Sequence, residues 1–242
     1  REGNEDSAIL CPNLIAVADG MGGHAGGEVA SALAINALSK LQPILIDEQI
    51  DKDSREDLFL NITHEIDQAI LDKSKAQPDL AGMGTTLTAL SIFDNNVELL
   101  HVGDSRCYRY RENKLAQLSY DHTVMQELLD QGRLTPQEVF AHPQRSLLTQ
   151  VLMGDSGLDP ILISFEIKKG DRYLLCSDGL TNVLSDYEIS KIIEANEDKA
   201  IPQSLIAEVR SKGAPDNITI IWSAVSLEKQ SAQIIKLGAA NE

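Results

Sequence analysis

The chain has 242 residues, room for one large domain or two small ones, and 43% of them are hydrophobic against 24% charged. That balance supports a buried core and excludes a disordered tail. A net charge of −16 excludes nucleic acid and anionic lipid as partners, because their phosphates demand clustered Lys and Arg. The three cysteines, Cys11, Cys107 and Cys176, lie far apart with no CxxC spacing. They read as buried thiols of a reducing compartment, neither zinc ligands nor a disulfide framework. No apolar run reaches the ~20 residues that span a bilayer and no signal-peptide pattern opens the chain. The expectation is a cytoplasmic globular protein.

Leu14 to Ala18 is a short apolar strand candidate, followed by a glycine-dense stretch from Gly20 to Gly27. Glu28 to Leu41 carries Val29, Leu33, Ala37 and Leu41 at steps of four, which predicts a helix with one buried stripe. A second helix is predicted from Ser54 to Lys75 on the stripe Leu58, Ile62, Ile66 and Ile70. The period then changes. Thr85 to Phe93 and Val97 to Val102, around Asp94-Asn95-Asn96, read as a hairpin; Cys107 to Tyr110 and Lys114 to Leu118, around Glu112-Asn113, read as another. Consecutive hairpins imply antiparallel pairing. Asp121 to Asp159 is helical and polar, with a helix start at Thr135-Pro136-Gln137-Glu138. Strands return at Ile161–Ile167 and Arg172–Cys176; Ser185 to Glu188 caps a further helix, Pro202 to Lys212 forms one more, and Ile218–Val225 is a last strand. Residues 227–242 are weakly patterned and read as a tail or linker. The order of elements predicts an α+β sandwich.

Four aspartates stand at the ends of these apolar strands. Ile15 to Ala18 runs into Asp19-Gly20, Leu99 to Val102 into Gly103-Asp104, Tyr173 to Cys176 into Ser177-Asp178-Gly179, and Asp216-Asn217 precedes Ile218. A single Asp-Gly is more often a turn. Four in one chain point to a carboxylate cluster, where mutual repulsion demands a cation. Oxygen donors without a Cys/His cluster select hard ions, Mg²⁺ or Mn²⁺. The opening Arg1-Glu2-Gly3-Asn4-Glu5-Asp6 reads alone as a solvated terminus; beside such a cluster, Glu5 and Asp6 are further oxygen donors and Arg1 a planar fork for phosphate.

Arg1…Asn4-Glu5-Asp6, Val17 to His24, Gly82 to Thr86, His101 to Arg106, Cys176 to Leu180 and Asp216 to Thr219 together resemble the ordered motif set of the metal-dependent protein phosphatases (PPM, type 2C). The resemblance is closest to bacterial serine/threonine phosphatases that oppose membrane kinases. It implies a catalytic domain over 1–226 with a flap at about 121–159, built as a four-layer α-β-β-α sandwich of two antiparallel sheets with a binuclear metal cleft at one edge. The family carries a strand upstream of the arginine, so the resemblance implies an N-terminally truncated domain.

By the same resemblance, Asp19 bridges two metals and Gly20 offers its carbonyl to one. Asp178 and Asp216 hold the first metal, Glu5 supports the second through water, and Asp104 with Asp178 binds a third, weaker ion. The implied reaction is hydrolysis of phosphoserine and phosphothreonine by attack of a metal-bridging water, with Mn²⁺ or Mg²⁺ as cofactor. Arg1 grips the phosphate. His24 either protonates the leaving alkoxide or serves as a loop and substrate contact, its spacing from Asp19-Gly20 differing from the shorter Asp-Gly-His of eukaryotic members. The implied partners are phosphorylated proteins, serine/threonine kinases and their substrates, acted on by a monomer; in related bacterial proteins a transmembrane segment can follow and tether the molecule. His101 reads as packing and Arg106 as half of an internal ion pair.

Two rival readings exist. Gly20-Met21-Gly22-Gly23-His24-Ala25 satisfies GxGxx[GA], with Pro43 to Asp47 as a second strand of a dinucleotide fold. Against it, Asp19 would sit beside a pyrophosphate of like charge and the hairpins contradict a parallel sheet. The other rival is a pseudophosphatase that binds without turnover; the complete donor set argues against it.

Overall fold

The computed structural model describes residues 3–23, 26–45, 47, 49–93, 95–154, 157–225 and 233–241. Asp6–Cys11 (β1) and Leu14–Met21 (β2) form an antiparallel hairpin that turns at Asn13, φ 69°. Two helices follow, Gly26–Leu45 (α1) and Lys52–Ala76 (α2), the second capped by the Asp51 side chain accepting from Ser54 N–H. Gly84–Thr85 (β3), Leu87–Phe93 (β4) and Asn96–Val102 (β5) extend the first sheet. Arg106–Arg111 (β6) and Lys114–Gln117 (β7) make the second hairpin, with Glu112 and Asn113 at φ 52° and 59°, the left-handed pair a tight two-residue turn requires. Val124–Asp130 (α3) and Pro136–Ala141 (α4) lie in the polar insertion, and the Thr135/Glu138 capping box forms as its sequence predicts. Ile161–Glu166 (β8), Arg172–Cys176 (β9), Asp178–Thr181 (α5), Asp186–Ala195 (α6), Ile201–Ser211 (α7), Ile220–Ala224 (β10) and Ile235–Gly238 (β11) complete the chain.

Among the described residues, one sheet has seven strands in the order β11-β1-β2-β4-β5-β8 with β3 added to β2, and the other four in the order β10-β9-β6-β7. Every pairing is antiparallel. Three apolar clusters define four layers. Ala34, Leu38, Phe59 and Ile66 of the first two helices pack on Ala16 and Leu100 of the large sheet. Val17, Leu90 and Leu99 meet Cys107, Tyr173 and Leu175 between the sheets. Leu174 and Cys176 meet Ile189, Leu205 and Val209 of α6 and α7 on the far side. Each fully buried Leu or Ile in these layers contributes about 1.5–3 kcal/mol. The molecule is an α+β sandwich of the expected four layers.

Three local expectations differ from what is observed. The stripe of α1 turns by one residue: Ala30, Ala34, Ile35 and Leu38 are buried, and Val29, Leu33 and Ala37 only partly, because small residues let the helix approach the sheet. Residues 43–45 continue α1 and do not form a strand, which together with the antiparallel sheets removes the dinucleotide fold. The weakly patterned stretch after Leu227 carries β11, which pairs with β1 while Lys236 Nζ donates to Asn36 Oδ1 of α1 and Ala240 enters the core. No helix of the described residues is long and apolar enough to cross a membrane.

Candidate metal centre

The strand ends meet where the two sheets come together. Asp19 lies near the end of β2 directly across from Asp6 of β1. Its backbone is held on both sides: Asp19 N–H donates to Thr86 Oγ1 at 3.0 Å, and its carbonyl accepts from Thr86 N–H at 2.9 Å and from Thr85 Oγ1 at 3.0 Å. Gly20 has no room for a side chain, since a Cβ there would lie 2.1 Å from the Gly27 carbonyl oxygen and 2.5 Å from that of Glu5. The glycine-dense stretch therefore serves close packing of the α1 N-terminus on the end of β2.

Glu5 enters from the segment before β1. Its carbonyl accepts from Gly20 N–H at 3.1 Å and from Ser31 Oγ at 2.6 Å, and its N–H donates to Asn217 Oδ1 at 3.1 Å. Asn217 Nδ2 also donates to the Gly3 carbonyl at 3.1 Å, so the residue after Asp216 ties that loop to the opening segment. The same loop presses on the start of α5, where a Cβ on Gly179 would lie 1.9 Å from the Asn217 carbonyl oxygen. Asn217 N–H donates in turn to Asp216 Oδ1 at 2.7 Å. Behind them Ser177 Oγ donates to Asp6 Oδ2 at 2.8 Å.

Asp104, 9% exposed, stands beyond β5 and faces a small cleft, open to solvent, shared with Arg106, Asp121, Phe140, Arg145 and Asp178. Asp178 Oδ2 accepts from Asn182 Nδ2 at 2.7 Å, and Ser146 of the polar insertion reaches the same oxygen at 3.4 Å while accepting from Asn182 at 3.1 Å. Arg106 is fully engaged with Asp121 through both Nε and Nη2, at 2.8 and 2.7 Å, and reaches Tyr108 Oη at 3.0 Å. It is the internal ion pair that its sequence context predicts.

Electrostatics shows which carboxylates share a site. Burial, then the charges of Asp6, Asp178 and Asp104, push the Asp19 carboxyl well above the usual range. Burial, then Asp178 and Asp121, do the same to Asp104 against the opposing pull of Arg106. Asp6 is raised by burial, partly offset by hydrogen bonds from Thr219 and Ser177. Among the described residues no three His, Cys, Asp or Glu side chains close into a ready cage. The donor set is oxygen throughout, which fits Mg²⁺ or Mn²⁺ and no softer ion.

Of the sequence-derived candidates, the charges of Asp178 and Asp104 act on Asp19 and that of Asp178 on Asp104, while Glu5, Gly20 and Asp216 are joined through Asn217 and the backbone. Arg1 and His24 lie outside the described residues. His101 is buried with Nδ1 2.9 Å from Thr88 Oγ1, as packing predicts. Sequence reading includes Thr86 and Ser177 in the motifs that carry the resemblance but gives them no role, and it does not single out Asn182 or Ser146. Asn182 carries a signal of its own, four residues after Asp178 and therefore on the same helical face.

The comparisons with known proteins follow this geometry. The family model of Protein phosphatase 2C matches residues 6–205. The serine/threonine protein phosphatase PstP of Mycobacterium tuberculosis is 41% identical over 245 residues, covering 100% of this chain and 46% of its own, so the chain spans about half the length of that relative. The protein phosphatase PhpP of Streptococcus pneumoniae is 35% identical over 223 residues, covering 91% of this chain and 88% of its own. The crystal structure of the PstP catalytic domain in complex with two manganese ions superposes with a TM-score of 0.81 at 40% identity, over 92% of this chain and 91% of that one. The chain belongs to the Protein phosphatase 2C family.

Proposed function

We propose that the chain is a metal-dependent protein serine/threonine phosphatase that hydrolyses phosphoserine and phosphothreonine and opposes bacterial serine/threonine kinases. The observation that carries the reading is the placement of Asp19, Asp104 and Asp178 at one edge of the sandwich, where the charges of Asp178 and Asp104 raise the proton affinity of Asp19 and that of Asp178 raises the proton affinity of Asp104. Such a cluster is costly without a cation and becomes favourable with one. Asp19, the Gly20 carbonyl, Asp178, Asp216 and Glu5 would hold two ions, and Asp104 with Asp178 a third. When bound, Mn²⁺ or Mg²⁺ supplies Lewis acidity that generates a water nucleophile near neutral pH and offsets charge on the phosphoryl oxygens. The naming of the relatives as serine/threonine phosphatases, and the manganese in one of them, support this assignment.

The chain's own residues divide the remaining work. Asn217 and Ser31 fix the Glu5 backbone, and Asn182 fixes Asp178, so the donors are oriented before a cation arrives. Arg106 is neutralised by Asp121 and leaves phosphate binding to Arg1, whose guanidinium fork suits a planar pair of phosphoryl oxygens. His24 holds a proton for the leaving alkoxide or contacts the substrate. The insertion from 121 to 159 forms the outer wall of the cleft, through Phe140 and Arg145, and selects among phosphoproteins. The buried free thiols Cys107 and Cys176 fit a cytoplasmic substrate pool and play no part in catalysis.

The deciding experiment is phosphopeptide hydrolysis by the 242-residue chain with Mn²⁺, with Mg²⁺ and with chelator. Activity restored by either ion and abolished by chelation is expected; full activity in metal-free protein overturns the reading.

A further inference from the structure

Two buried hydroxyls stand between the strand ends that carry Asp19 and Asp104. In an antiparallel ladder every second facing pair exchanges both N–H···O=C bonds. The register Val17↔Thr88 and Gly20↔Thr85 places Asp19 opposite Thr86. Only half of that exchange is made by the backbone: Thr86 N–H donates to the Asp19 carbonyl at 2.9 Å, whereas Asp19 N–H donates to Thr86 Oγ1 at 3.0 Å. The hydroxyl has taken the place of the Thr86 carbonyl, which accepts instead from Thr85 Oγ1 at 3.0 Å.

The other side of the Thr86 hydroxyl meets Ser105 Oγ at 2.8 Å, and Ser105 is the residue after Asp104. Ser105 is fully buried, Thr86 is 3% exposed, and the Ser105 carbonyl accepts from Thr88 Oγ1 at 2.8 Å. The Thr86 methyl is seated as firmly as its oxygen. A Cβ on Gly103 would lie 2.6 Å from Thr86 Cγ2, and Gly103 is at φ +106°, so the turn into Asp104 is shaped around this side chain.

We propose that Thr86 is a positioning residue for cation binding, its hydroxyl setting the placement of Asp19 relative to Asp104 through Asp19 N–H on one side and Ser105 Oγ on the other. The inference rests on reading those two carboxylates as cation ligands. Thr86 touches no reacting atom; it acts through the backbones of the residues that do. Outer hydrogen bonds of this kind tune metal affinity by about 10–100-fold.

Thr86→Val keeps the shape and removes the hydroxyl, and Thr86→Ser keeps the hydroxyl and removes the methyl. Titration calorimetry with Mn²⁺ on the 242-residue chain, with thermal midpoints recorded in chelator, separates affinity from folding. Thr86→Val is expected to weaken Mn²⁺ binding ~10-fold or more, with Thr86→Ser within about twofold of the parent. Ser105→Ala is expected to weaken binding in the same direction, and the double variant to lose less than the sum. Should Thr86→Val fail to fold, Ser105→Ala, which leaves Thr86 in place, carries the same expectation. Unchanged affinity in Thr86→Val, or in Ser105→Ala where only that variant folds, while Asp19→Asn loses binding overturns the positioning role alone. Unchanged affinity in Asp19→Asn overturns the ligand reading and the positioning role with it.

Discussion

Ser177 and Asp6, 171 positions apart, are joined by a buried hydrogen bond of 2.8 Å that runs from the end of β9 in one sheet to the start of β1 in the other. Ser177 Oγ also accepts from Thr219 N–H at 3.0 Å, so a single hydroxyl links three segments directly behind Asp19 and Asp178.

Removing that hydroxyl should therefore be felt well beyond a lost contact. Ser177→Ala removes the acceptor of the half-buried Thr219 amide and one of the donors to Asp6, which is itself buried. A buried group left unsatisfied costs about 1–3 kcal/mol. Urea unfolding in chelator should show a loss in that range; a variant as stable as the parent would show that water or a shifted backbone fills the gap.

Much of this arrangement was legible in the chain because its signals are local. The capping boxes at Thr135/Glu138 and Ser185/Glu188 form as written, and the Glu112-Asn113 turn takes the left-handed geometry its residues permit. The strand-end aspartates are visible for the same reason: each stands where a short apolar run meets Asp-Gly, Gly-Asp or Asp-Asn. What stayed hidden depends on partners distant in sequence. β11 is four residues long, leaves Ile235 and Leu237 largely exposed, and exists as a strand because β1 offers it an edge. Thr86 and Ser177 stand in recognisable motifs, but their hydrogen-bond partners appear only when the second sheet is placed. In α1 the predicted Leu41 is buried, while the rest of the buried face is Ala30, Ala34, Ile35 and Leu38, one residue round from Val29, Leu33 and Ala37.

Cation dependence should be strongest at Asp19. It is the residue on which the charges of Asp6, Asp178 and Asp104 all act, so its loss removes the centre of the cluster. Asp19→Ala is expected to lower turnover on phosphopeptide by at least about 100-fold even at saturating Mn²⁺ and to raise the thermal midpoint in chelator, since one repelling carboxylate has gone. Parent-like Mn²⁺-dependent turnover in this variant would remove Asp19 from the site.

The stability of the metal-free protein should carry a titration from His101. Burial first, and then the neighbouring His122, lower its pKa to about 3, against ~6.5 in an unfolded chain. Between those values the unfolded state binds a proton that the folded state refuses. Stability from this group is therefore complete above pH 6.5 and lost as pH falls, by up to ~1.4 kcal/mol per pH unit. The raised carboxyls of Asp6, Asp19 and Asp104 act with the opposite sign, stabilising at low pH and losing that effect as pH rises through their folded pKa values. Comparison with His101→Gln, which can still reach Thr88, isolates the histidine. The difference in unfolding free energy between parent and variant should fall steadily from pH 7 to pH 4; a difference that stays flat would place a proton on His101 in the fold.

Asp104 should prove separable from the core pair. It stands on the loop after β5, whereas Asp19 lies within β2 and Asp178 opens α5, where Gly179 packs on Asn217, the residue after Asp216. Its charge acts on Asp19 only after those of Asp6 and Asp178. Asp104→Ala is thus expected to retain two Mn²⁺ ions, since Asp19, Asp178 and Asp216, which would hold them, survive. Turnover on phosphoprotein should still fall, because a third cation beside Asp104 would position water or a proton donor near the leaving group. On p-nitrophenyl phosphate the loss should be smaller, since a good leaving group needs little protonation. Crystals of the variant grown with Mn²⁺ should hold two ions, and the kinetics should show the gap between substrates. Loss of both core ions, or an equal loss on both substrates, would make Asp104 part of the core and end its assignment to a separate third site.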